Sequence, residues 1–197
     1  MTNKIGIILF PEVEDLDFAG PLEVLGNMAL MDRDWQVLTI AETTNVKTAY
    51  GLKITVDYGF EDAPPLDVLL VPGGLGTRRE VDNPKMIQFV REAGSRASFV
   101  TSVCTGAFIL HRAGFLSGKR ATTHWGATAQ LRELGDVEVI EERFVQAGNV
   151  ITSAGVSAGI DMALHLVSLL RDATTAQNVQ KMMEYYPQPP TFAEASP

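Results

Sequence analysis

Four apolar or β-branched runs of strand length, at 5–10, 35–41, 67–71 and 99–103, give the chain its rhythm. Continuous apolar runs of this kind suit strands buried on both faces of a parallel sheet. Helical spacing fills the intervals. From Pro21, which suits a first helical turn, the apolar positions Leu22, Val24, Leu25, Met28, Leu30 and Met31 recur on one face. Residues 84–94 predict a crossover helix with Met86, Ile87, Phe89 and Val90 inward, and 105–113 predict another ending at Gly114. A helix running to about Leu134 follows Trp125, a strongly apolar one spans 160–170, and a last one spans 174–185. Residues 47–56, with Gly51 at the bend, predict a hairpin on the sheet edge. Short strands at 137–140, 144–147 and 149–153 include a second hairpin at Gly148-Asn149. Strands alternating with helices, without repeat or linker, predict one α/β domain over 1–197. Its architecture is flavodoxin-like: a doubly wound, mostly parallel sheet with helices on both faces. A Pro-rich extended tail occupies about 187–197.

Composition narrows the partners. At 197 residues and 46% hydrophobic content the chain can fill one core. A net charge of −8 argues against a nucleic-acid surface, which needs clustered Lys and Arg. One cysteine and three histidines (His111, His124, His165) exclude a disulfide framework and a four-ligand zinc site, fit a reducing cytoplasm, and imply neither metal nor cofactor. The first fifteen residues, broken by Pro11 and followed by acids, read neither as a signal peptide nor as a membrane span.

The candidate chemistry centres on Cys104. It falls where the 99–103 strand turns into a helix, and free N–H groups at the helix start favour a thiolate, which is how a reactive thiol is made. The alternative is a small buried hydrophobe. Pro72-Gly73-Gly74 ends the preceding strand, and its N–H groups either line an anion-binding nest or simply close a turn. Asp17 lies at a helix entrance, as a first-turn acid or as a catalytic one. Ser157 is an N-cap candidate, and Asp161 complements a helix dipole. Ligands of open parallel sheets bind at the carboxyl ends of strands, where Gly73, Gly74 and Cys104 converge.

Three separated stretches, DFAGPLEVL, LLVPGG and TSVCTGAFIL, followed by RATTHW, resemble the DJ-1/PfpI superfamily of class I glutamine amidotransferase-like folds. Within it the chain looks most like the isonitrile hydratases, across GNVITSAGVSAGIDMALHLV and the ending EYYPQPP. The resemblance implies that Cys104 is a nucleophile on a strained elbow and that Asp17 is the acid facing its sulfur. It implies an anion site at the N–H groups of Gly74 and Thr105, and a homodimer. His124 stands where many members keep a histidine near the cysteine, as a site neighbour or a structural residue. Intracellular proteases of the superfamily place His directly after the nucleophile; Thr105 stands there here, which removes a neighbouring base and argues against peptidase activity.

The expected reaction is hydration of a small-molecule isonitrile. The Cys104 thiolate adds to the terminal carbon while protonated Asp17 delivers a proton. The resulting thioimidate takes up water, oriented by Thr105, and releases the formamide. Two other classes compete: a glyoxal-handling or redox stress-response member using a low-pKa Cys104, and a ligand-sensing domain of the kind fused to helix-turn-helix modules, for which the residues after the last helix leave no room. Trp125, Tyr58, Phe18, Tyr185, Tyr186 and Pro187 are candidates for an apolar pocket or for core.

Overall fold

The computed structural model describes residues 2–187. Most of the expected Pro-rich tail, from Gln188 onward, lies outside the described residues. Strands β1 (Asn3–Ile8) and β2 (Trp35–Ala41) flank helix α1 (Asp15–Met31). The short strands β3 (Asn45–Lys47), β4 (Lys53–Thr55) and β5 (Tyr58–Gly59) precede β6 (Val68–Val71), and α2 (Thr77–Glu80) and α3 (Pro84–Arg96) lead to β7 (Phe99–Val103). Then come α4 (Gly106–Arg112), β8 (Arg120–Ala121), α5 (Thr128–Glu133), β9 (Glu138–Val139), β10 (Phe144–Ala147) and β11 (Val150–Ser153), followed by α6 (Ala158–Leu170) and α7 (Ala173–Met182).

The main sheet has the order β10-β11-β7-β6-β1-β2-β5 and is parallel except for β10 against β11. This is the expected doubly wound α/β architecture. Ile5, Ile7, Val68, Leu69, Leu70 and Val100 are fully buried, as strands covered on both faces require. One face carries α1, α6 and α7, and the other carries α3 and α4. Helix α3 starts at a true cap, since the Asn83 side chain accepts from the N–H groups of Lys85 and Met86. No described helix is long and apolar enough to cross a membrane.

Three local expectations are corrected. Helix α1 begins at Asp15, so Pro21 lies inside it rather than in its first turn. The Pro21 ring packs against α6, where a Cβ on Gly159 would stand 3.3 Å from its Cγ, so tertiary packing offsets the lost helical hydrogen bond. The 47–56 hairpin forms a separate two-stranded sheet instead of extending the main one. It is drawn off the edge by bonds to the 11–15 loop, from Glu12 N to Lys47 O (2.9 Å) and from Ala49 N to Val13 O (2.9 Å). Ser157 stands at the start of α6 without capping it by its side chain, and its hydroxyl instead accepts from Arg143.

Candidate active site

Cys104 is the first residue beyond β7, with φ of 57°, a left-handed conformation that is uncommon outside glycine. The strain is held from three directions. Its N–H is shared between the carbonyls of Ser153 (3.1 Å) and Ala154 (3.2 Å), its carbonyl accepts the Thr123 hydroxyl (2.8 Å), and α4 begins two residues later. The side chain is only 7% exposed.

Asp17 reaches the same point from the first turn of α1 and is fully buried. Its carboxyl acts on the Cys104 thiol, whose ionisation its charge disfavours. One oxygen accepts from Gly73 N (3.0 Å) and the other from Val156 N (2.9 Å). Val156 itself has φ of 55°, a true outlier for a β-branched residue, which aims its N–H at the acid. Burial raises the Asp17 pKa to about 6 against the opposing pull of these N–H donors.

Burial, followed by the charge of Asp17, pushes the Cys104 thiol up to about 12. The expected lowering by the helix start is therefore overturned: the Thr105 N–H does favour the thiolate, but one donor at the head of a seven-residue helix is outweighed by desolvation and an adjacent carboxylate. The two groups share one proton, with apparent pKa values near 6 and 12 belonging to the pair.

The glycines fit this crowding. A Cβ on Gly73 would lie 2.6 Å from Thr105 N, 2.7 Å from Thr105 Oγ1 and 2.8 Å from Asp17 Oδ2, so a side chain there would displace the site. Gly74 has φ of 130°, closed to L side chains, and its N–H donates to Thr105 Oγ1 (3.1 Å). Of the two N–H groups expected to form an anion site, that of Gly74 is engaged by the Thr105 hydroxyl, while that of Thr105 favours the Cys104 thiolate.

The His124 Nδ1 accepts from Gly126 N (3.2 Å) and its ring lies against Gly155, next to Val156; no described hydrogen bond joins it to Cys104 or Asp17. Trp125 is 82% exposed, Phe18 is buried, Tyr58 is half-buried, and Tyr185 donates its hydroxyl to Asp161 (3.0 Å). Among the described residues, no three His, Cys, Asp or Glu side chains are grouped to hold a metal. Sequence reading missed Val156 and Thr123. Their contributions are a backbone N–H and a hydroxyl aimed by the fold, and nothing in ITSAGV or RATTHW marks them.

A doubly wound α/β sheet whose strand-to-helix corner holds a buried cysteine against an acid from the first helix defines a class of protein. The chain belongs to the DJ-1/PfpI family, whose model matches residues 3–169. It is 43% identical over its whole length to an isonitrile hydratase of Pseudomonas putida, of which it covers 84%. It is also 30% identical, over 93% of its length, to the HTH-type transcriptional regulator GbdR of Pseudomonas aeruginosa, spanning about half (51%) of that protein. Among solved structures, a THiJ/PfpI family protein from Pseudomonas syringae superposes with a TM-score of 0.90 at 36% identity, covering all of this chain and 80% of that one. Drosophila melanogaster DJ-1beta shares the fold, with a TM-score of 0.82 at 23% identity over 95% of this chain and all of that one.

Proposed function

We propose that this protein is an isonitrile hydratase, a hydro-lyase that converts R–N≡C and water to the N-substituted formamide. The observation that carries the reading is the convergence of two buried groups, Cys104 at the β7-to-α4 corner and the Asp17 carboxyl held there by the N–H groups of Gly73 and Val156. An isonitrile carbon accepts a proton and a nucleophile on one atom, which is what such a pair supplies. Similarity to the Pseudomonas putida enzyme over the whole chain supports the same reading.

The proton starts on sulfur. The Asp17 carboxylate takes it and passes it to the terminal carbon as Sγ bonds there, giving the thioimidate R–N=CH–S. Asp17, again ionised, then takes a proton from water. The hydroxyl adds to the imidate carbon as Asp17 hands that proton to nitrogen; Asp17 then takes the remaining hydroxyl proton as the adduct collapses and gives it to the departing Cys104 sulfur, releasing R–NH–CHO. The Thr105 hydroxyl, beside Cys104, orients the water. The near-complete burial of Cys104 favours a slim, uncharged reacting group.

Turnover of an alkyl isonitrile to its formamide, followed by chromatography, tests the assignment. Cys104→Ala and Asp17→Asn are each expected to lose at least about 10³-fold in kcat, a magnitude in keeping with loss of a nucleophile or its proton carrier. Full activity in either variant rejects the mechanism, and a wild-type protein inert to isonitriles rejects the function. The working form is a cytoplasmic homodimer in this reading, with a small molecule and water as its only reactants.

A further inference from the structure

His124 takes no part in the chemistry so far described, yet its ring fills the space that a side chain on Gly155 would need. A Cβ on Gly155 would stand 2.2 Å from His124 Cδ2, 3.1 Å from Cγ and 3.3 Å from Nε2. Gly155 is not left-handed, so its backbone admits alanine and the ring is what stands in the way. The ring is held in turn. Its Nδ1 accepts from Gly126 N (3.2 Å), and the Trp125 ring lies beside it with centroids 5.4 Å apart. Cγ is one bond beyond Cβ, so a swing of the ring's far edge does not relieve the contact.

The turn braced in this way carries the peptide that grips Asp17. The peptide unit between Gly155 and Val156 offers its carbonyl to Ala158 N (3.2 Å) and its N–H to Asp17 Oδ1 (2.9 Å). One residue earlier, the Ala154 carbonyl accepts from Cys104 N (3.2 Å). Ordinary carbon–carbon contact requires about 3.5–4.0 Å, so a methyl on Gly155 displaces this peptide by about an ångström, and a 2.9 Å N–H···O bond does not survive that shift. The other groups bearing on the Asp17 carboxyl are the Gly73 N–H, Cys104 at the corner and Glu14 before α1. On the turn itself, Arg143 reaches the Ser157 hydroxyl (3.4 Å) and pairs with Asp161.

We propose that His124 is a positioning residue whose ring braces Gly155 and thereby holds the Val156 N–H on the Asp17 carboxyl. It acts through the turn, and not as an acid or base on Cys104. An N–H donor favours the ionised carboxyl, so losing it raises the Asp17 pKa above its value of about 6 and loosens the carboxylate. This inference rests on the role given to Asp17 in isonitrile hydration, and one of its two measurements does not depend on turnover.

The test uses Gly155→Ala, His124→Ala and the two together. The Asp17 carboxyl is titrated by carbon-13 NMR, its signal assigned by its absence in Asp17→Asn, and isonitrile hydration is measured as kcat and KM. Gly155→Ala is expected to raise the Asp17 midpoint by about one pH unit and to lower kcat about 10-fold with KM within about 2-fold, effects of the size of one lost N–H donor. His124→Ala, which frees the turn without pushing it, moves both values the same way by about half as much on a logarithmic scale. In the double variant the alanine methyl enters the space the ring has left, and both values return to within about 2-fold, or 0.3 pH units, of wild type. An Asp17 midpoint unmoved in both single variants overturns the proposal. So does a double variant no better than Gly155→Ala, since the two residues then do not act through their contact. If Gly155→Ala fails to fold, the fold of the double variant decides the contact and the midpoint in His124→Ala decides the coupling. If wild type turns over no isonitrile, the function fails, while the carboxyl titration still decides the role of His124.

Discussion

In the proposed reaction Asp17 and Cys104 are the residues whose ionisation sets activity, and the ionisation of Asp17 bears on stability as well. The pair carries one proton between about pH 6 and about pH 12 and two below that range. A doubly protonated pair has neither a base nor a developing thiolate, so kcat/KM is expected to fall on the acid side of about pH 6 and to run level through neutrality. A profile flat to pH 4.5 contradicts this assignment. Stability follows the same group with a definite sign. The folded pKa of Asp17 is raised from 3.8, so its contribution is whole below about pH 4, declines as the unfolded chain ionises, and is gone above about pH 6. A shift of this size corresponds to about 3 kcal/mol at most. Urea midpoints of wild type and Asp17→Asn, compared between pH 3.5 and 7, are expected to show this segment in wild type alone. Both residues stood out in the sequence through their motifs. The direction of the cysteine shift did not, because a local pattern shows the helix start but not the burial or the carboxylate that outweigh it.

At the level of elements, the strands were the most legible part, since β2 and β7 coincide with their apolar runs and β6 differs by one residue. The start of α1 was not legible. Proline reads locally as a first-turn residue, and only the approach of α6 reveals why Pro21 is tolerated two turns in. The turn after β6 can be tested directly: Gly73→Ala is expected to remain folded but to lose more than about 100-fold in activity, as its methyl forces Thr105 and Asp17 apart. Asn83→Ala makes the complementary case. It removes the cap of α3, which shares no described hydrogen bond with Cys104 or Asp17, and is expected to cost about 1–2 kcal/mol in chemical denaturation with kcat unchanged.

The whole molecule assembles what no single element holds. Asp17 is gripped by N–H groups 56 and 139 residues away in the chain, from the end of β6 and from the turn before α6. Sheet order alone predicts the first meeting, because β1 and β6 are neighbours; the second depends on the left-handed turn at Val156, for which the sequence offers no cue. The homodimer of the proposed function is expected to appear as about twice 21.4 kDa in sedimentation equilibrium, and a monomer throughout the micromolar range contradicts it. The shared proton has one more consequence. A buried pair with two ionisable groups and one proton carries a net negative charge at neutral pH, so the site excludes by electrostatics before it selects by shape. In the proposed function, like charge disfavours carboxylates and phosphates at the sulfur, which suits a substrate such as an isonitrile that brings no negative charge.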